Sequence, residues 1–527
     1  MMFRQALSIS AFIVVAGILP APSLAQHQLL DDRWQQLETP HFSILSQVSG
    51  NRTERFAQDL EYWRVVASHF MSDGKMFPPA AVKNQVFLFE NLAKFQAFAV
   101  ANETAFFYST PRRNFMAVVL DDESSLVQAR HHYAHFLTRN FTDLRIPRWY
   151  EEGLAAYLSN LSINRNVVEL VPYTQQAFEG SLMASQEVTL DELLFKEEAL
   201  GSPRLLQRAN FKSETFLHFL LHGHEEQGFT DRREELKHYI ELSLAGRTQR
   251  FAMDQAFSVT VAQLEAEYER YLEESVRPRG QLNLSGMREV NETEPFETLP
   301  VGFIDLSNAL GELAIHTGKF ELAEIFFQAA IDRNSTVPRS YSGLADSLRM
   351  QEHNDVSDVE ITAFYQQALN LGSQEPIILL DYGEYLETVL NNCELVLNQQ
   401  YRSSTQDEIK ALFRKSIELA PDNPEANLAM GQYYLFSGRD YTAGIPFQIR
   451  ALQLLPADSF IMEQTIRYKI EAGEYSEAER LINELAQPMH YWREFDWVTD
   501  LRRRMQFKQQ GVEYDSCEHS LNANVAK

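Results

Sequence analysis

Between Val301 and Gln510 the chain repeats itself at a step of about 34 residues, and this period constrains the fold more than any other feature. Gly311 and Ala345 lie 34 apart, as do Phe413 and Phe447, and Ile409 and Ala443; Ala443 to Ala478 is a step of 35. A period of this length is one helical hairpin per repeat. Such a unit cannot bury its apolar face alone, so successive hairpins must stack into a solenoid. Small residues let the two helices of a hairpin approach, and aromatics fill the gap to the next one.

Leu310-Gly311 with Ala323, Phe327 and Ala330, and Met430-Gly431 with Tyr434, Ala443 and Phe447, are similar to the tetratricopeptide repeat in their spacing. Five units are expected, anchored at Gly311, Ala345, Gly383, Gly431 and Ile466. The second holds about four extra residues near His353–Val359 and the third about fourteen within Asn391–Asp407, which extend its helices or form a loop. Stacked hairpins leave a long groove, so a protein or peptide partner is expected there.

Residues 26–275 read differently. His41–Gln47, Asn84–Glu90 and Asn114–Leu120 are short alternating or apolar runs that predict strands. Arg52–Met71 carries Phe56, Leu60, Trp63, Val66 and Phe70 at helical spacing, and from Leu126 onward the pattern is almost wholly helical. This is an α+β domain ahead of an all-α solenoid. Residues 276–300, aperiodic and rich in Pro and Gly, read as a linker, 301–510 as the repeat domain and 511–527 as a polar tail.

At the N-terminus, Arg4, the apolar run Ala11–Leu19 and Ser23-Leu24-Ala25 predict a cleaved secretory signal over residues 1–25, hence export to the periplasm or the extracellular space. No later segment predicts a membrane span. The net charge of −26 repels nucleic acid and anionic lipid. Cys393 and Cys517, the only two cysteines, make no disulfide framework.

The chemistry-bearing stretch is ARHHYAHFLTRNFTDLRIPRWYEEGLAAYLS, Ala129 to Ser159. A pair of histidines at this spacing means little alone: 14 histidines give roughly 0.4 such pairs by chance. His218 and His222 repeat the spacing, and there the expectation is a core-facing His218 and a His222 that caps a helix C-terminus. The first pair has more support. Ser125 and Gln128 form a candidate capping box, His131 and His135 share one helix face, and Pro147 opens a second helix bearing Glu152. Two imidazoles, one carboxylate and an open fourth position make the ligand set of a catalytic zinc site.

His131-His132-Tyr133-Ala134-His135 followed by Trp149-Tyr150-Glu151-Glu152-Gly153-Leu154-Ala155 resembles the peptidase-MA-like domain of the gluzincin clan, where HE-x-x-H precedes a W-x-x-E-G-[LI]-A helix. The likeness extends in outline over residues 38–275. It implies a metallopeptidase-like fold with zinc held by His131, His135 and Glu152. The departure is His132, which occupies the position of the glutamate that takes a proton from the attacking water. A histidine there must become a cation beside a site already near +1. At about 4 Å and an effective dielectric of about 20, that repulsion is about 4 kcal/mol, or about three powers of ten in rate. Glu151 is an unfavoured substitute base, because it is rotated about 100° from Glu152 on the helix. In members of the family a later helix often carries a tyrosine over the site; the nearest match here is Phe211, which has no hydroxyl. Three readings follow: a zinc-binding, peptidase-like domain with impaired hydrolysis, a working peptidase with an unusual base, and a metal-free scaffold.

Overall fold

The computed structural model describes residues 29–512 except 72–76, 78–79, 100–103, 121–122, 142–145, 165–166, 171–178, 180–186, 197–199, 201, 275–279, 284–295, 352–355, 393–394, 396, 438–439 and 486–495. The expected signal segment, both cysteines and the tail beyond Val512 lie outside the described residues.

The N-terminal half is built on a six-stranded mixed sheet. Its strands are β1 (Gln35–Glu38), β2 (Phe42–Ser46), β3 (Asn84–Phe89), β4 (Phe106–Ser109), β5 (Asn114–Val119) and, from far along the chain, β9 (Leu299–Pro300). They lie in the order β4-β5-β3-β2-β1-β9, with β2, β3 and β5 parallel and the outer pairs antiparallel. The three strands expected from the sequence are β2, β3 and β5, the parallel ones.

Every residue of β3 and β5 is buried. Val86, Leu88, Met116 and Val118 point into one core, and Phe87, Phe89, Phe115 and Ala117 into another. This is the period-2 alternation of a strand covered on both faces, which is why these runs read as continuously apolar.

The first core holds α1 (Gly50–Met71), with Phe56, Leu60, Trp63 and Val66 inward. After α2 (Leu92–Phe95) it also takes α3 (Glu123–Phe141), α4 (Arg148–Ser159), α5 (Leu190–Phe195), α6 (Pro203–His222), α7 (Arg233–Leu244), α8 (Gln249–Ala256) and α9 (Val261–Glu274). A small antiparallel sheet, β6 (Ser162–Asn164), β7 (Val167–Leu170) and β8 (Gly280–Asn283), lies beside them. The segment 276–300 is therefore more than a linker. It contributes β8 to one sheet and β9 to the other, and the two-residue β9 is too short to show a period.

The second core joins the sheet to the repeats. Five hairpins follow: α10 (Phe303–His316) with α11 (Phe320–Asp332), α12 (Pro338–Met350) with α13 (Asp358–Gly372), α14 (Pro376–Asn391) with α15 (Gln399–Leu419), α16 (Pro424–Gln432) with α17 (Tyr441–Leu454), and α18 (Ser459–Glu471) with α19 (Tyr475–Leu485). A final helix, α20 (Asp496–Gln509), covers the last hairpin through Val498, Leu501 and Met505. The five anchors fall on the first helices. A β-carbon on Gly311 would meet the Phe327 ring at 2.7 Å, and one on Gly383 the Phe413 ring at 2.4 Å, so these glycines are the space into which the aromatics pack. Part of the third insertion lengthens α15 to 21 residues.

The sequence suggested two separate domains. Instead, Leu310, Leu313, Phe326 and Phe327 share a core with Phe87, Phe89, Phe98 and Phe115. Phe98 stacks on Phe326 with ring centroids 6.1 Å apart. The repeat array is docked on the sheet.

Candidate metal centre

Helix α3 starts without the capping box expected at Ser125. The Ser125 hydroxyl instead receives the Val119 N–H at 2.9 Å and donates to the Thr104 carbonyl at 2.8 Å, while the Gln128 side chain accepts from Thr104. The two side chains tie the helix to the end of β5 and to Thr104, ahead of β4, rather than cap it. Tyr133 and Leu137 face the core, so His131 and His135 are turned together onto the side facing α4.

Helix α4 opens at Pro147, whose extended backbone holds the N-cap position. Trp149 anchors it: the indole is 3% exposed and donates to the Tyr239 hydroxyl at 3.1 Å. At Gly153 a β-carbon would lie 2.7 Å from the Ser213 carbonyl oxygen, so α4 meets α6 backbone to backbone. The tryptophan and glycine of the second motif are thus packing residues that fix where Glu151 and Glu152 point.

His131, His135 and Glu152 come together as the one trio among the described residues able to hold an ion, with donor atoms all within 4.8 Å of one another. His131 Nε2 is 3.2 Å from His135 Nε2 and 3.3 Å from a Glu152 oxygen, and His135 Nε2 is 3.8 Å from the other oxygen. Ligands set tetrahedrally at about 2.05 Å from zinc stand about 3.3 Å apart. The two distances from His131 Nε2 match that value, whereas the 3.8 Å from His135 Nε2 runs to the second Glu152 oxygen, so no single carboxylate oxygen closes all three edges. The donor set fits zinc in its chemistry, with the three ligand atoms gathered to within 4.8 Å.

Glu151 lies at the opposite edge of the His135 ring. One oxygen is 2.9 Å from His135 Nδ1 and receives the Arg139 Nε–H at 2.6 Å. A carboxylate held by a guanidinium is an acceptor, so Nδ1 carries the imidazole proton and Nε2 is left with its lone pair toward His131 and Glu152. That oxygen of Glu151 is thus engaged on the Nδ1 side of the ring, away from Nε2. Sequence reasoning missed the orienting pair, although Arg139 one turn after His135 was a readable signal.

His132 is partly exposed and lies outside the trio, its ring centroid 6.0 Å from that of His131. Phe211 is partly buried against the main core. The second histidine pair is a polar cluster of the core. His218 Nδ1 meets the Tyr271 hydroxyl at 2.9 Å; His222 has Glu225 at 2.7 Å on Nδ1 and the Tyr157 hydroxyl at 2.9 Å on Nε2. His222 does stand in the last turn of α6, but its ring bonds side chains rather than capping carbonyls.

No family model matches the chain, and no curated protein matches it in sequence. Similar solved structures include TTC0263, a thermophilic TPR protein of Thermus thermophilus, with 14% identity over 39% of this chain and 99% of that one at a TM-score of 0.32. Human IFIT1, solved as a dimer with PPP-AAAA, has 14% identity over 67% of this chain and 79% of that one at a TM-score of 0.26. The repeat character of residues 303–485 stands on the hairpins and their shared core, independently of these likenesses. Among the described residues, no helix is long and apolar enough to cross a membrane.

Proposed function

We propose that this chain is an exported, zinc-holding, peptidase-like protein whose hydrolytic step is disabled at His132 and whose repeat array recognises a protein partner. The convergence of His131, His135 and Glu152, with His135 fixed from behind by Glu151 and Arg139, carries the metal half. His131 Nε2, His135 Nε2 and the Glu152 carboxylate would hold the ion. Bound zinc would supply Lewis-acid polarisation of a carbonyl and acidify water. The protein side of hydrolysis is what is lacking: His132 replaces an anionic proton acceptor with a group that gains positive charge on protonation, and Glu151 is engaged elsewhere. Export rests on Arg4, the apolar run and Ser23-Leu24-Ala25.

A metal-free reading draws on the same geometry, because 3.2 Å between the two Nε2 atoms is also a hydrogen-bond distance. Metal analysis separates the two. Purified protein should hold close to one equivalent of zinc, lost in His131→Ala; less than about a tenth of an equivalent, unchanged by that substitution, leaves only the scaffold. With zinc bound, His132→Glu should raise peptide hydrolysis by about three powers of ten. No gain in a folded, zinc-loaded variant defeats the claim that only the base is missing.

A further inference from the structure

The turn between β4 and β5 reaches across the shared core into the repeats. Arg112 Nη2 lies 2.8 Å from Asp381 and 3.9 Å from Glu384, and Arg112 Nε donates to Glu425 at 2.7 Å. Arg113, beside it, lies 3.3 Å from Glu312. These partners sit on α10, α14 and α16, the first helices of the first, third and fourth hairpins. Asp346 on α12 completes the row, with Arg339 bridging Glu312, Asp346 and Asp381 at 3.0, 2.8 and 2.7 Å.

The carboxylates follow the repeat. Glu312 and Asp346 stand one residue after the anchors Gly311 and Ala345, Asp381 two before Gly383, and Glu425 six before Gly431. The offsets change by three and then four residues, so the acids keep one helical face while stepping along it from hairpin to hairpin. The Asp381 side chain is 0% exposed and Arg112 11% exposed. Among the described residues of the array, five carboxylates (Glu312, Asp346, Asp381, Glu384, Glu425) meet two arginines, Arg339 and Arg349. The row is thus short of cations by itself, and the β4–β5 turn brings two. Arg112 engages carboxylates of two different hairpins through its fork, which a lysine ammonium cannot reproduce.

We infer that this carboxylate row is an arginine-recognition face filled in cis by the β4–β5 turn, and that a protein partner of this face presents an arginine-bearing segment that takes the place of Arg112. The inference deepens the partner half of the proposed function and is independent of the metal half. The test reads the site without any partner, so its failure is distinguishable from the absence of one. In the full-length protein, Arg112→Ala should lower the thermal midpoint by about 4 °C, as expected for buried carboxylates left facing one another in a chain of this size. Millimolar arginine amide should then restore part of that loss, saturably, with no such shift in the unaltered protein, none from lysine amide, and none in Arg112→Ala combined with Asp381→Asn. Equal shifts in variant and unaltered protein, or a variant as stable as its parent, overturn the inference. Should Arg112→Ala not fold, Arg112→Lys decides: an intermediate loss of midpoint supports a fork-reading site, and full stability refutes it.

Discussion

Consecutive glutamates on one helix face the two nitrogens of a single imidazole: Glu151 is 2.9 Å from His135 Nδ1, and Glu152 is 3.8 Å from its Nε2. The turn of about 100° between adjacent helical residues lets this happen only because the ring lies edge-on between them. The first carboxylate fixes the tautomer, and the second stands with His131 on the side to which Nε2 points.

Glu151→Ala should therefore weaken zinc binding by about 10- to 100-fold without removing the site, since the three donors remain. Glu151→Gln, which keeps an acceptor oxygen opposite Nδ1, should recover part of the loss. Competition with a chromophoric chelator measures both. Undiminished affinity in the alanine variant would show that the pair plays no orienting role.

Gly153 gives a separate handle on the same helix. An alanine there places a carbon 2.7 Å from the Ser213 carbonyl and 3.1 Å from Leu217 Cβ, neither at the far end of a flexible side chain. Helices α4 and α6 must separate, at about 1–3 kcal/mol, and Glu152 moves with α4. Denaturant unfolding should show the lost stability, with weaker zinc binding alongside it. A variant of unchanged stability would contradict the close approach.

These contrasts mark how far the chain could be read unaided. The parallel strands β2, β3 and β5 were legible because both faces are buried and their apolar residues run together. The shorter antiparallel strands β1, β4 and β9 lack that signature. The repeats were legible because Gly311, Gly383, Phe327 and Phe413 recur where two helices touch, and that need is local. His131, His135 and Glu152 were legible because helical periodicity alone aligns the histidines and a motif marks the glutamate. Arg112 to Glu425 was not: the partners lie 313 residues apart and only the docking of the array on the sheet joins them. The Ser125 capping box misled for the converse reason, since its hydroxyl finds tertiary partners before local ones.

The carboxylate row also makes stability depend on pH. Burial first, and then the facing Glu425, raise Glu384 from 4.5 to about 8, against the pull of Arg112. Burial raises Glu387, on the same helix, to about 7. Between about pH 5 and 8 the folded chain holds protons that the unfolded chain has released, so the unfolding midpoint should fall as pH rises through this window and level off above it. Glu384→Gln should flatten part of the slope. A midpoint that climbs across the same range, or an unaltered slope in the variant, would contradict the assignment. Glu312 acts in the opposite sense. Burial alone would raise it, but Arg113, Arg339 and Arg112 more than offset that and hold it at about 2, so its contribution is present above about pH 4.5 and is lost only in strong acid.

Because Phe98 stacks on Phe326, and Phe115 lies 4.4 Å from the His316 ring across the same boundary, one face of the sheet and the first hairpins share a single core. A large apolar interface of this kind removes the ordinary expectation that neighbouring domains move and melt separately. Calorimetry should therefore show the sheet and the first hairpins unfolding in one transition. Phe98→Ala, which empties a fully buried ring position at about 3–5 kcal/mol, should increase hydrogen exchange in β3 and β5 and in α10 and α11 together. Exchange that rises in the sheet alone, with α10 and α11 protected as before, would mean the array stands by itself, and the cis contact of Arg112 would then be an adornment of two autonomous domains rather than part of one folded unit.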